Sequence, residues 1–151
     1  MGKTPAHDVI RIGQLEVQFR LDASQTGGAF TMFEFRVPVA ARVPVPHLHE
    51  AFDETVYGLE GVNTFTVSDE QVELGPGDVL FIPRGAVHHF INKGSFDAVG
   101  LSVITPGVLG PAYFQEVAAV VNAGGPPDIG RIMEVMKRHG LRPVMPTASA
   151  G

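Results

Sequence analysis

The sequence contains no cysteine and no tryptophan, and its basic residues form no cluster longer than two. Without cysteine, the chain cannot form disulfides, use a thiolate nucleophile or bind zinc through sulfur. Its formal net charge of -5 argues against nucleic acid as a partner, because proteins that bind nucleic acid carry a basic surface. No apolar stretch approaches the length of a membrane span. These absences predict a soluble cytoplasmic protein that binds neither nucleic acid nor a membrane.

Short strands and frequent turns dominate the sequence between residues 10 and 105. The 151 residues fit one domain, and their 18 glycines and 12 prolines indicate many turns. Apolar residues alternate in "QLEVQFRL" and "FTMFEFRV", which is the period of a half-buried strand. Turn signals such as "ASQTGG", "LGPGD" and "PRGA" separate these segments. The pattern predicts a mainly β sandwich or small barrel over 10–105.

After residue 105 the pattern changes to that of two short helices. Apolar residues recur at helical spacing: Phe114, Val117, Ala118 and Val121 in the first helix, and Ile129, Ile132, Met133 and Met136 in the second. Asp128 can cap the second helix and Gly140 can end it. Neither helix can bury its apolar face alone, so we expect the extension at 111–140 to pack on the barrel or across a dimer interface. Residues 141–151 are predicted to form a tail.

Two of the six histidines lie one residue apart in "VPHLHEAFDETVYGLEG". Strand alternation would put His47 and His49 on the same side, and Glu54 could lie beside them on a neighbouring strand. A further candidate, His88, begins a strand after the turn "PRGA". Three imidazoles and a carboxylate would suit Fe, Mn, Ni, Cu or Zn better than Mg or Ca. A histidine pair alone, however, is most often simply solvated or hydrogen-bonded.

The spacing of these residues resembles the two sequence motifs of the cupin superfamily. The first runs His47-x-His49, four residues, Glu54, six residues, Gly61, and the second runs Gly77, five residues, Pro83-x-Gly85, two residues, His88, three residues, Asn92. One departure is Ala41, where the family's first motif often has glycine; it affects a turn and not the ligands. The resemblance implies a single-domain cupin fold, a jelly-roll barrel also called a double-stranded β-helix. It also implies one divalent transition metal held by His47, His49, Glu54 and His88.

We interpret the other polar residues near the motifs as structural or solvated and not as metal ligands. Asp53 and Glu50 compete with Glu54 as carboxylate ligands, but the motif spacing favours Glu54, and we interpret the other two as solvated loop acids. His89 should point away from His88 by strand alternation.

Val45, Val56 and Phe90 are expected to form an apolar substrate pocket near the metal, although core packing accounts for them equally well.

The sequence leaves three functions open. The resemblance to quercetinase-like cupins implies an oxidoreductase of dioxygenase type that acts on a small organic substrate. One alternative is an isomerase or lyase for a sugar acid or carbonyl compound, in which Arg36 or Arg42 could pair with a substrate carboxylate. The other is a barrel that binds a small molecule without turnover, and a homodimer is expected in each case.

Overall fold

The computed structural model describes residues 2–43 and 45–145 of the chain, which form eleven strands and three helices. The strands are β1 (Val9–Ile12), β2 (Leu15–Leu21), β3 (Thr31–Val37), β4 (His47–His49), β5 (Asp53–Glu60), β6 (Asn63–Val67), β7 (Glu70–Leu74), β8 (Val79–Ile82), β9 (His88–Ile91), β10 (Ala98–Thr105) and β11 (Leu141–Pro143). The helices are α1 (Ala23–Thr26), α2 (Pro111–Val121) and α3 (Ile129–Arg138). The protein is therefore mainly β, as predicted.

The strands form two antiparallel sheets. One sheet has the order β1-β2-β3-β10-β5-β8, and the other has the order β11-β4-β9-β6-β7. Strands that follow one another along the chain often lie in opposite sheets, so the chain crosses repeatedly from one sheet to the other. This is the jelly-roll architecture that the resemblance to cupins implies, with two short helices added after β10.

Alternation along the strands produces the core between the sheets. Every second residue of β3 is buried, from Thr31 to Val37, and β10 repeats this pattern from Ala98. The Phe33 ring packs against Phe19 at a centroid distance of 5.1 Å. Because apolar residues recur at every second position, one face of each strand points into the core. A shift of the strand pairing by one residue would expose that apolar face to solvent.

The segment "ASQTGG", predicted as a turn, contains the single helical turn α1. The Asp22 side chain accepts a hydrogen bond from the Gln25 amide, and the Gln25 side chain accepts one from the Asp22 amide. This reciprocal pair is a capping box, and Gly27 ends the turn in a left-handed conformation with φ of 65°. The capping pair is the signal that the sequence analysis missed.

Helices α2 and α3 pack on each other, and they also contact β1 and β11 respectively. Their buried residues are Tyr113, Val117, Ala118, Ile132, Val135 and Met136. Four of these lie on the predicted apolar faces, whereas Tyr113 and Val135 do not. Both helices therefore contact strands of the two sheets, while a role of the extension in a dimer interface stays a prediction. No helix in the described part of the chain is long and apolar enough to cross a membrane.

The outer edge of the first sheet exposes apolar side chains. Val79 and Phe81 of β8 are 63% and 57% exposed, and Tyr57 on the neighbouring strand β5 is also exposed. An edge strand of this kind has unpaired backbone groups beside apolar side chains. The homodimer stays a prediction.

The segment after α3 differs from the prediction. Residues 141–151 are predicted as a tail, but Leu141–Pro143 forms β11, which pairs with β4 so that Leu141 lies opposite His49 and Pro143 opposite His47. The reason is tertiary: β4 offers a free edge, and three residues are too few to show a strand period. The remainder of the predicted tail, "PTASAG" at 146–151, lies outside the described residues.

Leu141→Ala is expected to lower the free energy of unfolding by about 2–5 kcal/mol, because Leu141 is 2% exposed and its truncation leaves a cavity. Arg142→Ala is the matched control on the same strand, since Arg142 is exposed; we expect a change below about 0.5 kcal/mol. Urea unfolding followed by circular dichroism measures both. Equal, small losses would contradict a packed β11.

Candidate metal centre

Three histidine rings meet on two adjacent strands of the second sheet. Strand β4 carries His47 and His49, both buried, with Leu48 half-buried between them, as alternation predicts. Strand β9 begins with His88, which lies directly opposite His47 in the antiparallel pair. The His88 ring centroid lies 4.6 Å from that of His47 and 4.5 Å from that of His49. The fold thus brings together residues that are 39 positions apart (49 to 88) in the sequence.

The three rings are close enough to share one ion. Each offers one nitrogen, and these nitrogens all lie within 4.8 Å of one another. No ring is more than 8% exposed. Imidazole groups buried at this separation could bind a single metal ion, and we call His47, His49 and His88 the histidine cluster.

Backbone carbonyls orient two of the rings. Nδ1 of His47 lies 2.9 Å from the carbonyl oxygen of Val45, and Nδ1 of His88 lies 3.0 Å from that of Ala86. A carbonyl oxygen can only accept, so Nδ1 carries the proton in each neutral ring. Nε2 is then left with its lone pair, which is the form that a metal ligand requires.

His49 is held differently, by stacking. Its ring lies on that of Phe52 with centroids 4.3 Å apart, and its buried Nδ1 has no hydrogen-bond partner among the described residues. Its Nε2 lies 3.8 Å from Oε1 of Glu54. Packing against Phe52 therefore fixes the ring plane where no backbone hydrogen bond does.

Glu54 lies beside the histidine cluster on β5 of the opposite sheet. Its Oε1 is 3.8 Å from Nε2 of both His49 and His88, while its Oε2 accepts a hydrogen bond of 2.7 Å from the Ser102 hydroxyl. One carboxylate oxygen is thus fixed by Ser102, and the other faces the imidazoles. The role of Glu54 as a fourth ligand stays a prediction.

Ser102 is a site residue that the sequence analysis missed. It is fully buried on β10, at an inward position of "AVGLSVIT" whose other inward residues are Ala98, Gly100 and Ile104. A lone hydroxyl in an otherwise apolar inward set was the available signal. Buried hydroxyls require a hydrogen-bond partner, and here the partner is the Glu54 carboxylate.

The competing carboxylates do not join the cluster. Asp53 accepts hydrogen bonds from the Arg84 amide at 2.8 Å and from the Arg84 guanidinium, and these bonds lower its pKa. Asp53 is therefore more than a solvated acid, because it ties β5 to the turn before His88. Glu50 is exposed, 3.6 Å from Arg142. His89 lies outside the group of three whose nitrogens converge.

Burial controls the protonation of the site. It lowers the pKa of His47 to about 3 and that of His49 to about 2, because a charged ring would lose its hydration and would be repelled by neighbouring histidines. Burial also raises the pKa of Glu54, against the opposing effects of His88 and the Ser102 hydrogen bond. At neutral pH both strand-β4 histidines are therefore neutral, as metal binding requires.

The donor atoms fit a divalent transition metal. The site offers imidazole nitrogens and one nearby carboxylate, and the chain contains no thiol. Such nitrogen and oxygen ligands suit Fe, Mn, Ni, Cu or Zn, whereas Mg and Ca prefer oxygen alone. Three or four protein ligands leave coordination positions for water or a substrate.

A cavity of about 110 Å³ adjoins the histidine cluster. The four predicted metal ligands line it, as do Val45 and Phe90 from the predicted pocket. Val56, also predicted to line the pocket, is instead fully buried against Gly100 of β10 and is not among the described lining residues. The C-terminal segment adds further wall residues that the sequence analysis did not anticipate, namely Tyr113, Phe114, Val117, Ile132, Met136 and Leu141.

Protein purified without chelator is expected to contain about one transition-metal ion per chain, and His49→Ala is expected to lose most of it because one of three converging nitrogens is removed. His7→Ala is the control, since His7 contacts Gln25 outside the cluster. Elemental analysis measures both. Equal metal content in His49→Ala and wild type would contradict the site.

The metal-free protein is expected to lose stability as the pH falls below about 6.5, the pKa of histidine in an unfolded chain. Burial lowers the pKa of His47 and His49 far below that value, so protons bind the unfolded state first and favour unfolding. Urea midpoints between pH 7.5 and 5 measure the effect. His49→Gln should show a shallower fall than wild type, and parallel curves would contradict the assignment.

Comparison with known proteins agrees with the geometry. Residues 33–104 match a family model described as a cupin domain. The chain is 32% identical over 96 residues to the quercetin 2,3-dioxygenase of Bacillus subtilis, an alignment that covers 62% of this chain. It spans only 28% of the length of that relative.

Two solved structures share the fold. One, from Thermotoga maritima and described as a predicted oxalate decarboxylase, has a TM-score of 0.55 at 27% identity over 66% of this chain and 90% of that one. The other, a sugar phosphate isomerase of Silicibacter pomeroyi, has a TM-score of 0.51 at 25% identity over 59% of each chain. The family match, the two antiparallel sheets and the paired motifs lead to one conclusion: residues 33–104 of this chain form a cupin domain.

Proposed function

We propose that this protein is a metal-dependent oxidoreductase of dioxygenase type, acting on a small organic substrate in the barrel cavity. The observation that carries the proposal is the convergence of three buried imidazoles on the wall of a largely apolar cavity. The similarity to a quercetin 2,3-dioxygenase supports oxygenation, within the part of that protein which the alignment covers.

The histidine cluster would hold the metal, and the carbonyls of Val45 and Ala86 would keep two of the rings aimed at it. A bound divalent transition metal supplies a Lewis acid for a substrate oxygen and, where it is redox-active, an electron partner for dioxygen. The apolar wall would exclude bulk water from the reacting groups. The chain thus contributes ligands, orientation and a dry cavity.

Glu54 has two candidate roles. The motif spacing indicates a fourth metal ligand, whereas burial raises the pKa of its carboxyl and so makes the carboxylate a stronger base. In the second role, Oε1 would accept the proton of a substrate hydroxyl held near His49 and His88. The Ser102 hydroxyl would position Oε2 in either case.

An isomerase or lyase is the second candidate, supported by similarity to a sugar phosphate isomerase. Sugar phosphates and sugar acids are anionic, so their recognition calls for a cation in the cavity. Arg36 lines the cavity, but it also forms ion pairs with Asp97 at 3.3 Å and with Glu60 at 3.6 Å. Arg42 is exposed and is not among the described residues lining the cavity. The acidic partners of Arg36, and the position of Arg42 outside the described lining, favour the oxygenase over the isomerase or lyase.

Oxygen uptake is expected when protein loaded with Fe(II), Mn(II) or Ni(II) meets a panel of catechols, flavonols and diketones. His49→Ala should reduce the uptake rate at least about 100-fold by removing a ligand, whereas His7→Ala should leave it unchanged. An oxygen electrode measures the rate with each metal and compound.

Two results would reject the oxygenase. Turnover of a carbonyl substrate under strict anaerobiosis would favour the isomerase or lyase. Binding of panel compounds with neither oxygen uptake nor anaerobic conversion would favour a barrel that binds without turnover.

A further inference from the structure

The turn before strand β9 carries the group that orients the ring of His88. Residues 83–86 form this turn, in which the Ala86 amide donates to the Pro83 carbonyl at 3.2 Å and Gly85 has a φ of 85°. A positive φ at the third position is typical of a type II turn and favours glycine. The turn ends at Ala86, whose carbonyl oxygen lies 3.0 Å from Nδ1 of His88. A displacement of the turn would therefore move the acceptor that orients this ring.

The turn lies outside the strands, so its attachments to the barrel are separate from the strand ladders. The Gly85 amide donates to the His49 carbonyl at 2.8 Å, and a second backbone bond joins Val87 to the turn after β6. The Arg84 amide donates to Oδ1 of Asp53 at 2.8 Å. This last bond is accepted by a side chain, so a substitution can remove it and leave the two backbone bonds in place.

The Asp53 carboxylate is suited to hold the turn. Besides the amide, it accepts hydrogen bonds from Nε and Nη2 of the Arg84 guanidinium at 3.3 Å and 3.2 Å. Hydrogen bonds to a charged acceptor are stronger than those between neutral groups. The Arg84 side chain is 50% exposed, and exposed ion pairs contribute little. We therefore expect the bond from the amide to matter more than the ion pair.

Asp53 and Glu54, consecutive residues at the start of β5, lie on the two sides of the His88 ring. Side chains alternate along a strand, so Glu54 faces the histidine cluster while Asp53 faces the turn. Oε1 of Glu54 is 3.8 Å from Nε2 of His88, and Asp53 holds the turn whose carbonyl is the acceptor for Nδ1. The two carboxylates thus contact different surroundings of the same imidazole.

We propose that Asp53 is a positioning residue for the metal centre: by holding the Arg84 amide it fixes the Ala86 carbonyl, and through that carbonyl the tautomer and orientation of the His88 ring. The inference rests on the function proposed above for the metal, whereas the orientation of the ring can be measured without one. His47 is an internal reference, because its acceptor is the carbonyl of Val45 before β4.

The first test determines the tautomer of each ring in metal-free protein, by heteronuclear NMR of the imidazole nitrogens at mildly alkaline pH. Wild type should carry the proton on Nδ1 in both His47 and His88. Asp53→Ala should shift His88 toward a mixture of tautomers and leave His47 unchanged. Asp53→Asn should restore the wild-type pattern, because its side-chain carbonyl can accept from the Arg84 amide.

The second test measures Zn(II) affinity by competition with a chromophoric chelator. Asp53→Ala should bind Zn(II) about tenfold more weakly than wild type, the lower end of the range for residues that orient metal ligands. Asp53→Asn should stay within about threefold of wild type, since it keeps the acceptor. Glu50→Ala is the matched control for charge, because Glu50 is an exposed acid next to His49 in the sequence and pairs with Arg142.

Arg84→Pro breaks the same bond from the donor side. Proline has no amide hydrogen and is favoured at the second position of a type II turn, so the turn should persist. This variant should match Asp53→Ala in Zn(II) affinity and in the His88 tautomer. Arg84→Ala, its matched control, keeps the amide and should stay within about threefold of wild type. The pair also tests the proposal if Asp53→Ala does not fold.

Three results would overturn the role of Asp53. One is a wild-type Zn(II) affinity and His88 tautomer in Asp53→Ala or in Arg84→Pro. Another is an equal loss of affinity in Asp53→Asn and Asp53→Ala, since the negative charge would then account for it. The third is an equal change at His47 and His88, which would mean that the substitution loosens the whole barrel. Melting temperatures of the metal-free variants check that each is folded.

These results are separable from those for the proposed function. A response of the His88 tautomer to Asp53→Ala, together with no Zn(II) binding by wild type, would retain the role of Asp53 in orienting the ring and reject a metal-dependent enzyme. Metal binding and oxygen uptake that Asp53→Ala and Arg84→Pro leave unchanged would retain the oxygenase and overturn the positioning role.

Discussion

The burial of three imidazole rings side by side is the constraint on which the rest of the structure depends. Each ring brings two polar nitrogens into the interior, and dehydration keeps the rings of His47 and His49 neutral. The barrel meets this demand with carbonyl oxygens two residues before His47 and His88, and with the stacked ring of Phe52 beside His49. Adjacent antiparallel strands make the arrangement possible, because they present the rings on one inner face.

Much of the fold could be predicted because its signals are local. Alternation in β2 and β3, turn glycines and the helical spacing after residue 105 all report the conformation of a few neighbouring residues. Strand β11 could not be predicted in this way: its three residues are ordered by pairing with β4, and nothing in their own sequence indicates that pairing. The capping pair that forms α1 is present in the sequence, but the glycines that follow it led to the prediction of a turn.

The residues of the candidate site also fall into two groups: those that motif spacing predicts and those whose role depends on contacts with distant residues. The spacing of His47, His49 and His88 indicated the cluster that the structure brings together. Ser102 and Tyr113 were missed because their significance depends on contacts with distant residues, as in the bond from Ser102 to Glu54 across 48 positions. The pocket prediction was limited for the same reason, since strand parity alone does not distinguish a cavity wall from closely packed core such as Val56.

The pairing of β11 with β4 makes the order of chain synthesis matter. When a nascent chain has emerged as far as β10, both cupin motifs are already outside the ribosome, yet the strand beside His47–His49 and the helical wall of the cavity do not exist. An ion captured at that moment would occupy a site open to water and lacking its outer strand. The complete centre can form only after the C-terminal segment has left the ribosome, so a metal ion bound earlier would lack the outer strand and the helical wall.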